Sequence, residues 1–410
     1  FAPRVSAFAA LGFMRHDYSG FINGTHVRSM NAAGTSTATI TSAQKGYNEN
    51  VASEAGLRFG VDTGPVKHEF VLQASRLEQE AASVSNSSAA FTTNIYDPTY
   101  RAMPAMPTVL GKSSENTLSS VALVDTMSFL ADKVRLTLGL RDQNVKTTNF
   151  TPATGAVNGT PYDKSAVTPA VAVVVKPWGP NVSLYANYVE GLSKGDSVAK
   201  TSGYVQDYTF APYKTKQKEV GVKWNAGAFT NTVSLYEITK PMLLASGSSP
   251  NMVATDDGEK RVRGLEWNTF GQITPQVRLL GGAAYTDGVQ TKTRGGATDG
   301  KTAVGAPRWQ GNLGAEWDTP WVQGLSLSSQ VVATSSQWVD AANTIRIPGW
   351  AVLDAGARYQ TQLWARKVAF RLNVANLLDK NYYSGAFSDT TPIATLGLGR
   401  TVSVSATMDF

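Results

Sequence analysis

The sequence predicts an all-β protein, an antiparallel barrel that crosses a membrane. Three observations predict it. Hydrophobic side chains recur at every second position, connections alternate between short and long, and aromatic residues gather where strands end.

The first observation sets the face of each strand. Val134, Leu136, Leu138 and Leu140 oppose Arg135, Thr137, Gly139 and Arg141. Val182, Leu184, Ala186 and Tyr188 oppose Ser183, Tyr185 and Asn187, and Val220, Val222 and Trp224 oppose Glu219, Gly221 and Lys223. From Arg308 to Trp317 the odd positions read Trp, Gly, Leu, Ala, Trp and the even ones Arg, Gln, Asn, Gly, Glu. Val368, Phe370, Leu372 and Val374 continue the pattern, and the chain ends on Val402, Val404, Ala406, Met408 and Phe410 in one phase. Successive strand side chains point to opposite faces, so each segment has one apolar and one polar side. Such segments number about 18, many of about 9–13 residues, a length that suits a tilted crossing of a bilayer.

The second observation sets the polarity of the molecule. Short connections are expected at Asn31-Ala-Ala-Gly34, Asp62-Thr-Gly-Pro65, Ala131-Asp132, Lys176–Asn181, Ile273–Gln276 and Asp318–Trp321. Long ones, rich in Gly, Ser, Thr, Asn and Asp, cover 78–118, 149–164, 191–214, 241–259, 288–305, 336–349 and 379–397. Tight periplasmic turns alternating with long extracellular loops mark a transmembrane barrel. The third observation supplies two girdles. Trp178, Trp224, Trp267, Trp317, Trp321, Tyr359 and Trp364 fall toward short turns, and Tyr188, Tyr285, Trp309 and Trp350 toward long loops. Amphipathic rings favour the two levels where lipid meets water.

Composition excludes other classes. The 410 residues are 42% hydrophobic and 17% charged, with no Cys and three His. No apolar run approaches the roughly 18 residues of a spanning helix. Without Cys there are no disulfides, thiolate metal sites or cysteine nucleophiles, and a His-rich metal site is not expected. The net charge of +6 is dispersed, so no nucleic-acid patch is predicted. No phosphate loop, metal motif or nucleophile elbow occurs, and the chain is not expected to be an enzyme. Phe1-Ala-Pro-Arg4 is neither an initiator nor a signal peptide, so the chain is expected to be part of a longer one.

Several segments resemble the C-terminal barrel of TonB-dependent siderophore receptors. They are Asn94-Ile-Tyr-Asp-Pro-Thr-Tyr100, Ala211–Gly221, Arg263-Gly-Leu-Glu266, Ile347-Pro-Gly-Trp350, Val374-Ala-Asn-Leu-Leu-Asp-Lys-Asn-Tyr-Tyr383 and the closing Leu398-Gly-Arg400 to Phe410. The resemblance implies a barrel of 22 strands around an N-terminal plug. Residues 1–410 would then be a partial barrel domain, with the plug, its TonB box and the first strands absent.

The resemblance also implies a function. The protein would sit in the outer membrane of a Gram-negative bacterium as a monomer, against lipid and lipopolysaccharide. It would bind a ferric siderophore and import it with energy from the TonB complex. Iron(III) would be cargo held by the chelate's own oxygens, with no intrinsic cofactor or protein metal ligand. The alternatives are a TonB-dependent receptor for haem, cobalamin or carbohydrate, and a passive porin. A haem receptor would favour loop histidines, and none lies beyond His68. In such receptors loop and rim aromatics hold the chelate, which makes Tyr96, Tyr100, Tyr204, Tyr208, Phe210, Tyr213, Trp338, Arg346, Tyr382, Tyr383 and Phe387 the candidates here. Aromatic faces suit an apolar chelate rim, and Arg suits its anionic charge. Arg135, Arg141, Glu219, Lys223, Glu266, Arg358 and Arg371 fall on the opposite, lumenal phase, where a plug or wall water would face them.

Overall fold

A computed structural model of the chain describes residues 4–21, 25–386 and 392–409; Phe387 and the terminal Phe410 lie outside these. The chain divides into two compact units. The first comprises Phe1–Asp62, His68–Asp125 and Gly139–Thr168, and the second Thr63–Lys67, Thr126–Leu138 and Pro169–Phe410. Among the described residues there are 24 strands and no α-helix. Eighteen strands carry the main ladder, and six form three small hairpins. Two of the eighteen, β2 and β5, have only four residues each, so sixteen are long, close to the count the alternation predicts.

The first unit holds β1 (Val5–Phe21), β2 (Thr25–Arg28), β3 (Thr35–Thr63), β4 (Val66–Ser87) and β5 (Phe91–Asn94). It also holds most of β6 (Ser114–Phe129) and β7 (Val134–Asn149) and half of β8 (Tyr162–Val175). β1 pairs antiparallel with β3 from Val5↔Phe59 to Phe21↔Ala43. β3 runs for 29 residues, and its first turns pair with both β2 and β5. This corrects one expectation. Asn31–Gly34 is a tight turn, but it joins β2 to β3 at the end of β3 opposite the Asp62–Pro65 turn. Because β3 is one continuous strand between the two turns, Asn31–Gly34 falls at its other end, on the long-loop side.

The second unit continues with β9 (Val182–Ser193), β10 (Ser197–Val198), β11 (Tyr208–Thr209), β12 (Tyr213–Ala226), β13 (Phe229–Ser246) and β14 (Val253–Thr274). Then come β15 (Val277–Lys292), β16 (Trp309–Asp318), β17 (Leu325–Thr334), β18 (Gln337–Trp338) and β19 (Arg346–Ile347). The last are β20 (Trp350–Leu363), β21 (Arg366–Ala375), β22 (Tyr383–Ala386), β23 (Ala394–Leu396) and β24 (Thr401–Met408). The long strands form an antiparallel meander, each paired with the next long strand in sequence.

Register explains the two faces. One rung reads Val277↔Trp317↔Leu327↔Ala357↔Leu372↔Val404. The adjacent rung reads Arg278↔Glu316↔Ser328↔Gly356↔Asn373↔Ser403. A slip of one residue would exchange the faces, so the pattern itself pins the pairing. The apolar face is not covered by protein. Leu313 is 57% exposed, Leu235 55% and Val404 76%. A soluble sandwich buries such rows in a common interior. Here they require an apolar solvent. Trp178, Trp321 and Trp364 sit in or beside short turns and are largely exposed. Tyr285 and Trp309 pack 4.8 Å apart near the long-loop ends.

Candidate ligand-binding rim

In the second unit five long loops are stitched, each to the next. The loop after β9 folds back through the β10–β11 hairpin. Its Phe210 and Tyr213, each 6% exposed, bury against Val198, with Tyr204, Leu243 and Ala254 packed around them. The Tyr213 hydroxyl donates to Asp196 at 3.1 Å. Tyr208 sets its edge on Phe210 at 4.7 Å but remains 49% exposed. This loop joins that of β13–β14 through Val205 N–H to the Met252 carbonyl, and Met252 N–H to that of Gly203. The Arg294 guanidinium donates to the Gly247 carbonyl at 2.7 Å, carrying the chain of contacts to the loop after β15.

Two buried or inward-turned amides continue it. Gln290, 5% exposed, donates from Nε2 to the Ala341 carbonyl at 2.9 Å. Asn343 accepts from Thr302 N–H at 2.8 Å and donates to the Thr302 carbonyl at 2.9 Å. Gly305 N–H then bonds the Trp338 carbonyl. Gly305 has φ +69°, and a Cβ there would collide with the Ala386 carbonyl, so this crossing of loops needs glycine.

The β18–β19 hairpin presents Trp338 and Arg346, with the guanidinium 5.5 Å from the indole and also bonded to the Ser336 hydroxyl. Asp340 ties the hairpin tip. It accepts from the backbone N–H groups of Thr344 and Ile345 and from the Thr344 hydroxyl. These donors hold its carboxyl below the ordinary Asp range, the Ile345 N–H most of all.

The last loop is anchored by Asn376, which is 4% exposed and has φ +50°. Its backbone N–H donates to Asp354, its Nδ2 to the carbonyls of Lys380 and Leu398, and its Oδ1 accepts from Lys380 N–H. Asp379 accepts from Arg400 N–H at 2.9 Å. The two near-terminal motifs therefore clasp one another. Tyr382 lies on Trp350 at 4.6 Å and against Gly397, whereas Tyr383 is 42% exposed.

The first unit presents the other candidates. Asn94 donates to the Ala33 carbonyl and accepts from Tyr96 N–H, which turns the chain sharply after β5. Tyr96 and Tyr100 then stand 80% and 88% exposed.

Sequence reasoning placed the candidates in loops but did not separate their roles. Phe210, Tyr213, Tyr204 and Tyr382 pack within the rim and Trp338 is half-buried under the Arg346 guanidinium, while Tyr96, Tyr100, Tyr208, Arg346 and Tyr383 are exposed. It missed Gln290, Asn343, Asp340 and Asn376, whose partners lie in other loops or further along their own. A left-handed Asn inside the near-terminal motif was the one available signal.

The polar face of the second unit carries a second cluster. Arg278 reaches Asp318 at 2.7 Å and Glu316 at 2.8 Å, and Arg358 reaches Glu316 at 2.6 Å. Glu219 accepts from the Tyr185 hydroxyl at 2.5 Å, beneath Lys223. Among the described residues no group of three His, Cys, Asp or Glu gathers to hold a metal ion.

An exposed apolar face, a polar opposite face and long loops at one edge fit the wall of a transmembrane β-barrel. The TonB dependent receptor-like, beta-barrel family matches residues 8–377, and the chain belongs to that family. It is 33% identical over 377 residues to the ferrichrome receptor FcuA of Yersinia enterocolitica, covering 88% of this chain and 48% of that protein. It is 25% identical over 360 residues to the ferrioxamine B receptor of Salmonella typhimurium, covering 85% and 50%. The crystal structure of BauA, the ferric preacinetobactin receptor of Acinetobacter baumannii, superposes with a TM-score of 0.86 at 38% identity, covering 100% of this chain and 61% of that one. The chain thus spans about half the length of the curated relatives it matches. Its relatives are receptors rather than enzymes, and the family is one of the outer membrane.

Proposed function

We propose that this chain is the barrel wall of a receptor that captures a ferric siderophore and, with a plug and the TonB complex, imports it. The observation that carries the reading is a rim of exposed aromatics and one Arg on loops held in place by buried amides. Preorganised loops lose little entropy on binding, so exposed rings convert contact into affinity.

Within the second unit Tyr208, Trp338, Arg346 and Tyr383 are the proposed ligand contacts; within the first unit, considered by itself, Tyr96 and Tyr100 are. Phe210, Tyr213, Tyr204 and Tyr382 hold their loops. The rings stack on apolar parts of the chelate, and Arg346 meets its anionic groups. Iron stays within the chelate, so the protein performs no bond chemistry. The polar face, with Glu219, Glu266, Arg358 and Arg371, fronts the plug and lumenal water. The long loops face outward from the cell, and the receptor acts as a monomer within lipid and lipopolysaccharide.

The support is kinship with receptors for ferrichrome and ferrioxamine, together with this rim. The test is growth. A receptor-deleted strain expressing the full-length protein is placed on a panel of ferric siderophores under iron limitation. Rescue by at least one is expected, and rescue by none rejects the reading.

A further inference from the structure

The loop between β7 and β8 is fixed along most of its length and free over one short stretch. Phe150 N–H donates to the Ser113 carbonyl at 2.9 Å, Thr151 N–H to that of Ala156 at 2.8 Å and Asn158 N–H to that of Asn149 at 2.8 Å. Phe150 and Val157 also form a β-bridge. Order resumes at Tyr162, which is 1% exposed and opens β8. Between these fixed points the bonding stops. Among the described residues Gly159, Thr160 and Pro161 make no hydrogen bond, and the Asn158 carboxamide makes none either. All four residues are exposed. Gly159 has φ +77°, and a Cβ added there would meet nothing within 4 Å.

This stretch suits an attack of the chain on itself. An Asn carboxamide is an electrophile, and the next backbone nitrogen can close a five-membered ring on it. Glycine favours closure, since no side chain crowds that nitrogen and its backbone turns freely. Both partners must also be unbound, because the reacting atoms have to reach bonding distance. The Asp–Gly pairs of the second unit fail that condition. Asp257-Gly258 and Asp287-Gly288 lie within the paired ladders of β14 and β15. Asp299 accepts from Thr293 N–H at 2.7 Å, and Gly300 N–H donates to the Gln290 carbonyl at 2.9 Å. Asn86, followed by Ser87, donates its carboxamide to the Ala105 carbonyl at 2.8 Å.

We propose that Asn158 is a site of spontaneous deamidation. The Gly159 nitrogen attacks Asn158 Cγ and gives up its proton to water. The N–Cγ bond forms, the Cγ–Nδ2 bond breaks, and ammonia leaves a succinimide ring behind. Water then opens the ring at either carbonyl, giving aspartate or its β-linked isomer. Water is the sole co-reactant, and nothing is oxidised or reduced. The loop gains one carboxylate, and the β-linked product adds a methylene to the backbone between the Asn149 clasp and Tyr162. Through Phe150 and Ser113 this loop is bonded to the one that carries Tyr96 and Tyr100.

The experiment ages the full-length receptor in detergent in mildly alkaline buffer, then follows its peptides by mass spectrometry. Digestion in acid keeps the reaction from occurring during preparation. The peptide carrying Asn158 is expected to gain the mass difference between –NH2 and –OH at least about tenfold faster than the one carrying Asn86. It should also become a substrate for isoaspartyl methyltransferase. A synthetic peptide of residues 151–164 gives the rate of the unstructured chain, and the folded receptor should react at a similar rate. Asn158→Gln, which must close a six-membered ring, and Gly159→Ala, which crowds the nitrogen, should each slow the change by at least about tenfold. Asn158→Gln keeps the backbone as it is, so its melting temperature should match wild type. A rate at Asn158 no faster than at Asn86, or far below that of the free peptide, overturns the site. So does an unaltered mass gain in Asn158→Gln, which would place the reaction elsewhere in the peptide.

Discussion

The loop after β5 in the first unit and the five loops of the second solve the same problem differently. In the first, Asn94 fixes one turn, Thr99 N–H bonds Thr93, and the rings of Tyr96 and Tyr100 have little around them. In the second, aromatic residues of the same kinds are folded inward, as Phe210 and Tyr213 are, and amides bind each loop to its neighbour. Aromatic content therefore does not distinguish a contact from a support. Exposure does, because a ring that already fills a pocket has no free face to give a ligand.

Four measurements can break or sharpen this contrast. The largest effect is expected from Phe210→Ala. Removing a buried ring from the Val198–Tyr213 cluster should destabilise that loop by about 3 kcal/mol. Limited proteolysis of the full-length receptor would then cut within 191–214. Tyr100→Ala, in contrast, should leave stability within about 0.5 kcal/mol. Equal proteolytic patterns in the two variants would erase the distinction drawn here.

Asn376→Ala comes next. It strands the carbonyls of Lys380 and Leu398 and the N–H of Lys380, at a cost of about 2 kcal/mol. Amide exchange should rise at Lys380 and Arg400 together, since Asn376 and Asp379 clasp both segments. A rise confined to Lys380 would mean that the two motifs are not coupled.

The double variant Tyr96→Ala/Tyr100→Ala should weaken binding of a transported ferric siderophore by about tenfold, a loss of roughly 1.4 kcal/mol. Its amide exchange should match wild type. Unchanged affinity, measured by titration of the purified receptor, would move the ligand contacts to the second unit alone.

The smallest effect concerns pH. Backbone donors from Ile345 and Thr344 favour the charged form of Asp340 and lower its pKa in the folded loop. Its contribution is therefore complete above the ordinary Asp range and is lost as pH falls through the lowered value. Exchange at Ile345 N–H should accelerate over that acidic interval. Asp340→Asn should remove the pH dependence. An identical profile in the variant would assign the titration to another group.

Much of the wall was legible in advance. Val220, Val222 and Trp224 fall on one face because strand geometry alternates side chains, and that geometry is local. The turns at Asp62–Pro65 and Ile273–Gln276 were legible for the same reason, through residues that set backbone angles over a few positions. Asn31–Gly34 was legible as a turn but not as to its end of the strand. Its side depends on how far the β3 ladder runs, and that ladder is set by the partners β1, β2 and β5.

By itself the sequence determined which side of each strand meets an apolar solvent and which meets water. The period of two is a property of neighbouring residues, and the division of each strand into an apolar and a polar row follows from it directly. Only the tertiary structure decided which rim side chains are available. Gln290 meets Ala341 across 51 positions and Asn376 meets Leu398 across 22, and no local preference records such meetings. Whether a Tyr in a loop is a pocket wall or a support depends on long-range contacts, which become definite only when the ladders bring distant loops to one edge.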